Sequence, residues 1–281
     1  MAEQKHIFEY TATAEQSAYD LLMMTNLAPA ILKQAAYNGS VWLEPMGKKP
    51  HRLRRLKTTI TSGDKVWLYY NDSLLKQSFA NAVLIRDQQD YSIWFKPRGM
   101  FSQPSKWSDA NSISRNVTVQ LERPSYLVHR LDRMTAGLII VCHKKSLVKQ
   151  FTQRFTDHAI NKTYLAVING SLAQSSITID DALDDKPALS YLTVEQTINE
   201  GTHTLVNVEI NSGRKHQIRR HLSGIGHPIV GDRMYGNANT AYDLQLYAVE
   251  LAFSCPTTHK LISVTLADDF YRHEVDKVVL Q

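Results

Sequence analysis

The spacing of apolar positions changes several times along the chain, and each change marks an element. Up to about residue 75, Tyr19–Met24 and Ala30–Tyr37 are short stretches with helical spacing, and the second stops at Asn38-Gly39, a C-terminal signal. "VWLEP" (Val41–Pro45) reads as a short strand, and the Gly63-Asp64 turn feeds the alternating strand Val66–Tyr70. These pieces make a compact unit of small helices and strands around a basic loop. "NDSLLKQSFANA" (Asn71–Ala82) reads as a polar connection. From there strands dominate: Val83–Arg86, Tyr91–Phe95, "GLIIVCHK", "KTYLAVING", "TLVNVEI", "LQLYAVELAF" and "LISVTLA". One amphipathic helix, Lys145–His158, carries Leu147, Phe151 and Phe155 spaced by four. The strands follow one another without regular crossover helices, so the pattern predicts an α+β fold rather than a doubly wound parallel sheet.

Composition narrows the class. At 281 residues and 43% hydrophobic, the chain is long enough for two domains and a sizeable core. No apolar run approaches the roughly 18–20 residues that span a bilayer, and "MAEQKHIFEY" lacks the pattern of a secretory signal. Cys142 and Cys255 are the two cysteines, too few for a disulfide framework or a cysteine zinc cluster. The expectation is a soluble, cytoplasmic protein. The formal net charge of +5 is mild, but its distribution is not even. "GKKPHRLRRLK" (Gly47–Lys57) holds Lys48, Lys49, Arg52, Arg54, Arg55 and Lys57 with no acid. Such a run is either a solvated surface or a patch that contacts phosphates.

Several chemistries are absent: there is no Walker loop, GxGxxG, HExxH or GxSxG motif. His216 and His221 are five apart, which does not place two metal ligands on one helical face, so no metal is expected. "HRLDRMTAGL" (His129–Leu138) sets Asp132 between two arginines. A neighbouring cation lowers an aspartate's already low pKa, which suits a nucleophile or an electrostatic stabiliser and makes a poor general acid. The same residues also suit a structural Asp–Arg pair at a turn. "NSGRKHQIRRHLSGIGHPIVGDRMYG" (Asn211–Gly236) predicts a short cationic helix over about Lys215–Leu222, with Arg219 one turn from His216, followed by a glycine-rich loop. A basic surface helix would look alike; so would a site for an anionic ligand.

These stretches resemble, in order, the sequence blocks of the RluA family of RNA pseudouridine synthases. "HRLDRMTAGL" is similar to the family signature, departing from it at Ala136, where serine is usual. "WFKPRGMFSQP", "NKTYLAVING", "GRKHQIRRHL", "GHPIVGDRMYG" and the closing "LYAVELAFSCPTTHKLISVTLADDF" resemble its other blocks, so that the likeness covers about residues 80–275. More distantly, "ILKQAAYNGSVWLEPMGKKPHRLRRLKTTITSGDKVWL" resembles an S4-like RNA-binding domain, with "EPMGKKPHR" standing where that domain has Asn-Gly. The resemblance implies an S4-like domain at 1–75, a linker at 76–82 and a catalytic domain at 83–281 with the pseudouridine synthase fold, a mainly antiparallel mixed sheet with flanking helices.

It also implies a chemistry. Pseudouridine formation breaks the C1′–N1 bond of a uridine, turns the base and joins C1′ to C5, on a nucleotide taken out of its stack. By resemblance Asp132 acts at the sugar, Arg219 pairs with it, and Tyr164 packs on the uracil as the candidate proton relay. Arg130 would fill the space left by the flipped nucleotide, and Arg214, His216 and Gln217 would line the RNA side. The reaction is an isomerisation and needs no cofactor. The implied partner is RNA: first large-subunit ribosomal RNA, otherwise transfer RNA, with the protein a monomer. An RNA-binding or assembly factor without catalysis, and an enzyme that cleaves N-glycosidic bonds without rejoining them, are the rival classes.

Overall fold

The computed structural model describes residues 5–76 and 80–279. They form two compact units: residues 1–80 with 103–120, and residues 81–102 with 121–281.

The first unit contains β1 (Lys5–Thr11), β2 (Gln16–Ser17), α1 (Ala18–Leu22), α2 (Pro29–Tyr37), β3 (Val41–Glu44), β4 (His51–Arg52), β5 (Thr59–Ile60), β6 (Lys65–Asn71), α3 (Asp72–Lys76) and α4 (Ile113–Leu121). Its sheet runs β1-β6-β3-β4, with β2 and β5 as a separate pair. Leu22, Leu32, Ile60 and Leu68 are fully buried at its centre. Pro29 opens α2, where its fixed φ suits a first helical turn. Gly39 follows the helix at φ +74°, a conformation that glycine reaches without penalty. The connection read as purely polar begins with α3, and the strand β1 was not legible: its Ile7 is 58% exposed, so no clean alternation marks it.

The segment after residue 102 is stitched onto this unit by hydrogen bonds. Ser40 donates to the Trp107 carbonyl (2.6 Å), the Trp42 indole to Lys106 (3.1 Å), and Arg52 Nη2 to Ser105 (2.6 Å). Asp109 accepts a close ion pair from Arg54 and lies 3.3 Å from Arg52 Nε. Arg52 also lies over the Trp42 ring, 4.6 Å from its centroid.

The second unit contains β7 (Val83–Asp87), β8 (Tyr91–Lys96), β9 (Tyr126–Leu127), β10 (Ala136–Cys142), α5 (Lys145–Thr156), β11 (Ile160–Asn169), β12 (Ser176–Ile179), β13 (Ser190–Ile198), β14 (His203–Ile210), α6 (Gln217–Gly224), β15 (Leu246–Ser254), β16 (Leu261–Thr265) and α7 (Arg272–Val279). The main path of its sheet is β12-β13-β14-β11-β15-β10-β8-β7, with β16 on β15 and β9 on β10. Among the described residues β10 meets β15 in parallel, and the other pairings in this sheet are antiparallel. This is the α+β arrangement that the pattern predicts, with the mainly antiparallel mixed sheet that the resemblance implies. β10 is buried along its whole length, which is why it reads as a continuous apolar run. α5 buries Leu147 and Phe151, and Phe151 meets Tyr91 and Phe253 edge-on at 5.1 and 5.6 Å. β13 escaped the pattern because polar Glu195 and Gln196 break its alternation at a bulge. No helix among the described residues is long and apolar enough to cross a membrane.

One glycine sets the centre of this sheet. Gly137 (φ +122°) pairs with Lys96 on β8 and with Ala248 on β15, and a Cβ there would lie 2.3 Å from the Ala248 carbonyl oxygen. The obstacle is backbone, so it cannot swing aside. Gly137→Ala should therefore cost at least about 3 kcal/mol, combining a forbidden φ with a displaced strand. Urea unfolding of the two proteins measures it, and a loss below about 1 kcal/mol would mean that the strands separate easily.

Candidate active site

The loop between β9 and β10 carries Asp132, and its neighbours hold it by the backbone. Lys96 is fully buried and donates to the carbonyls of Met100 (2.9 Å), Pro97 (3.2 Å) and Arg133 (3.3 Å). Burial pulls its pKa down to about 7, against the opposing pull of the Asp132 charge. Ser102 donates to the Leu131 carbonyl (2.6 Å) and accepts from the Leu131 N–H (3.0 Å), while the Gly99 N–H bonds Arg133 (2.9 Å). The Thr135 N–H closes the turn on the Asp132 carbonyl at 3.1 Å. His129 completes the anchorage: its Nε2 accepts the Ile140 N–H at 2.8 Å. Ile140 lies on β10 between the residues paired with β15 and those paired with β9, where neither strand is in register. The imidazole must be neutral to accept there, and burial pushes its pKa down to about 3, with a smaller push from Lys162. It also stacks on Phe155, with centroids 4.4 Å apart.

Facing Asp132 is α6. It starts two residues later than the spacing suggests, because His216 adopts a left-handed conformation (φ +55°) and stands outside the helix at its N-cap position. From that position His216 Nε2 lies 3.7 Å from the Asp132 carboxylate, and its Nδ1 contacts the Tyr235 hydroxyl at 2.9 Å. Arg219 Nη1 lies 3.8 Å from the same carboxylate.

The tight partner of Arg219 is a different acid. Its Nε and Nη2 donate to Asp232 at 2.7 and 2.8 Å, a bidentate pair, and the Tyr235 ring covers it 5.0 Å from the centroid. Asp232 is 1% exposed and accepts two further bonds from the N–H groups of Met234 and Tyr235, each at 3.0 Å. Burial works against its charge. The Arg219 bonds and those two N–H groups outweigh that and hold the carboxyl below the usual range. With Nε and Nη2 committed to Asp232, the guanidinium is locked with Nη1 toward Asp132. Among the described residues Asp132 keeps only these two longer contacts, so its carboxylate oxygens are left for a ligand. The sequence holds Asp232 in "VGDRMYG", but no spacing rule connects it to Arg219; its signal is a lone acid in a glycine-punctuated turn.

Tyr164, on β11, sits between Val208 of β14 and Ala248 of β15 and is 9% exposed. Burial raises its pKa well above the ordinary value, and the Asp132 charge raises it further, so the phenol stays neutral. Asp132, Tyr164, Arg219, Arg130, Arg214 and His216 line one cavity of about 470 Å³, a size suited to a small organic group. Arg130 is exposed at its edge. Gln217 reaches the same cavity wall, but its polar atoms are engaged. It accepts from Ser212 (2.7 Å) and the Arg214 N–H (3.1 Å), and donates to Leu189 (2.9 Å) and Ser190 (3.2 Å). It is a buried pin between α6 and the start of β13.

The basic run belongs to the first unit, and none of it lines this cavity. Arg52 and Arg54 bind Asp109 and nearby carbonyls, so the expectation of six free cations shrinks to the exposed Lys48, Lys49, Arg55 and Lys57.

Comparison with known proteins places the chain in a family. Residues 90–224 match the family model for RNA pseudouridylate synthases. The chain is 31% identical over 198 residues to the dual-specificity RNA pseudouridine synthase RluA of Vibrio parahaemolyticus, covering 63% of this chain and 79% of that one. It is 30% identical over 207 residues to tRNA pseudouridine synthase C of Yersinia pestis (60% and 80%). With the ribosomal large subunit pseudouridine synthase D of Borreliella burgdorferi it shares 24% identity over 271 residues (80% and 83%). Among solved structures, human RNA pseudouridylate synthase domain containing 1 shares the fold, with a TM-score of 0.59 and 23% identity over 69% of this chain and 87% of that one. Fold and site thus define an isomerase that acts on RNA. The chain belongs to the RluA family of RNA pseudouridine synthases.

Two substitutions separate the acids. Asp132→Asn keeps shape but removes charge from a residue with few internal partners, so turnover should fall at least a hundredfold with little change in stability. Asp232→Asn strands the Arg219 charge against a buried amide and should cost about 3–5 kcal/mol as well as activity. Thermal melts beside single-turnover assays check both; equal stability losses would contradict the division of labour. The neutral His129 gives a pH dependence. The unfolded chain protonates this ring below about pH 6.5, whereas the folded one refuses the proton until about pH 3. Unfolding free energy should therefore fall as pH drops through that window. His129→Gln, whose amide oxygen can accept the Ile140 N–H without titrating, should flatten that slope in urea titrations between about pH 4 and pH 7.

Proposed function

We propose that this enzyme converts uridine to pseudouridine in large-subunit ribosomal RNA, with Asp132 acting at the ribose and Tyr164 against the uracil. The single observation that carries the reading is the Asp132 carboxylate, which among the described residues has no close partner and faces a cavity in which Arg219 is held by Asp232. The reaction breaks C1′–N1, forms C1′–C5 and moves a proton off C5. Each route needs an ionised acid beside the sugar, and Asp132 is that acid. Arg219, locked by Asp232, directs its free Nη1 at that carboxylate. Tyr164 remains protonated across the working pH range, so it can stack on the base and relay the C5 proton. Arg130, at the cavity edge, takes the place vacated by the flipped nucleotide, and Arg214 and His216 meet the strand.

The ribosomal target rests on similarity to the large-subunit synthase, whose alignment takes in more of this chain than those of the other two relatives. The first unit, read as a divergent S4-like module, would hold the RNA through Lys48, Lys49, Arg55 and Lys57. Transfer RNA is the second reading, favoured by the similarity to tRNA pseudouridine synthase C.

Mapping pseudouridine across total RNA from cells with the protein, without it, and with only Asp132→Asn decides between them. The expected outcome is one or a few large-subunit positions that vanish in the last two strains. Loss of transfer RNA sites alone would overturn the ribosomal assignment. Release of free uracil by the purified protein would overturn the isomerase chemistry.

A further inference from the structure

A second cavity of about 420 Å³ lies beside the first in the same unit and shares Tyr164, Arg130 and Arg214 with it. At its wall is Lys162. It stands two residues before Tyr164 on β11, and strand geometry puts both side chains on one face. Lys162 is 8% exposed. Its ammonium lies 5.9 Å from the centroid of the Phe155 ring, and it has no hydrogen bond or ion pair among the described residues. The other charged or titratable groups along the wall are His129, Arg130, His158, Tyr164 and Arg214, and no carboxylate lines the cavity among the described residues. Hydroxyls of Thr152 and Ser212 add polar character without negative charge. A buried ammonium with no counter-charge is costly, and a π face offsets only part of that cost. Burial pulls its pKa down to about 8, which marks the missing anion.

We infer that Lys162 receives a phosphodiester of the substrate strand next to the target uridine, so that the cavity beside the catalytic one is a phosphate subsite. This rests on the reading of the first cavity as the uridine site. The strand would enter past Arg130 and Arg214, place its base on Tyr164 and its neighbouring phosphate on Lys162. The π face of Phe155 preorganises the ammonium, and the anion supplies the charge partner that the fold leaves out. Lys162 is then a positioning residue, acting through where the nucleotide sits.

The test compares binding of a large-subunit ribosomal RNA transcript by wild type and Lys162→Met at several salt concentrations, with thermal melts as the folding control. One lost phosphate contact should weaken binding roughly three- to tenfold near physiological salt and flatten the slope of log Kd against log salt by about 0.7–0.9. Where turnover is measured, the loss should fall more in KM than in kcat. A second measurement needs no variant. On a short RNA carrying the target, neutral methylphosphonate linkages are introduced one at a time. In the wild type, one linkage flanking the uridine should reproduce the Lys162→Met loss, and in Lys162→Met the same linkage should cost nothing more. A folded Lys162→Met with the wild-type salt slope, or a wild-type slope indifferent to every flanking linkage, would overturn the inference. Failure of the parent reading looks different. The wild type would then convert no uridine in any RNA, while the comparison of salt slopes on bound RNA would still show whether Lys162 meets a phosphate.

Discussion

The catalytic half of this protein depends on one buried ion pair. Asp232, nearly inaccessible and held by two backbone N–H groups, grips Arg219 with two short bonds. The pair ties α6 to the glycine-rich loop that follows it, so two segments with little regular structure between them have one relative position. It also fixes the direction of a charge. A free arginine would close on Asp132 and quench it. One already committed can supply positive potential at 3.8 Å without occupying the carboxylate. Removing a member of such a pair is far more costly than the pair's net worth, which is why its geometry is strict.

The opposite wall follows the same economy. The loop bearing Asp132 buries Leu131 and Thr135, is held through its backbone by Lys96, Ser102 and Gly99, and is tied to β10 by the His129 side chain. Each anchor sits on or beside a strand of the central sheet, and Gly137 lets that sheet close against β15 directly behind the loop. A site built this way is rigid where the acid is presented and open where a nucleotide would enter. The surrounding cations are unevenly satisfied: Arg219 has a carboxylate, whereas among the described residues Lys162 has only an aromatic face. That gradient of unmet charge runs from the acid into the neighbouring cavity, and an anionic strand is what would complete it.

Much of this was present in the sequence. Period-two alternation located the long strands of the second unit, period-four apolar spacing located α5, and the absence of crossover helices implied α+β rather than a doubly wound parallel sheet. The signature around Asp132 and the blocks holding Tyr164 and Arg219 marked three residues that the fold brings to one cavity, because their chemistry is local: an acid beside cations, a phenol on a strand, an arginine on a short basic helix. Such features depend on residue type and near neighbours, and a sequence states both. What the sequence did not state is who pairs with whom. Asp232 lies thirteen positions after Arg219 in a turn, Asp109 takes Arg52 and Arg54 out of the basic run from more than fifty positions away, and Gln217 is absorbed by β13. Lys162 reads like any strand lysine until Phe155 covers it and no acid arrives. Ion pairs and burial are set by which backbones the sheet brings together, and their energies depend on solvent exclusion that only the packed chain creates.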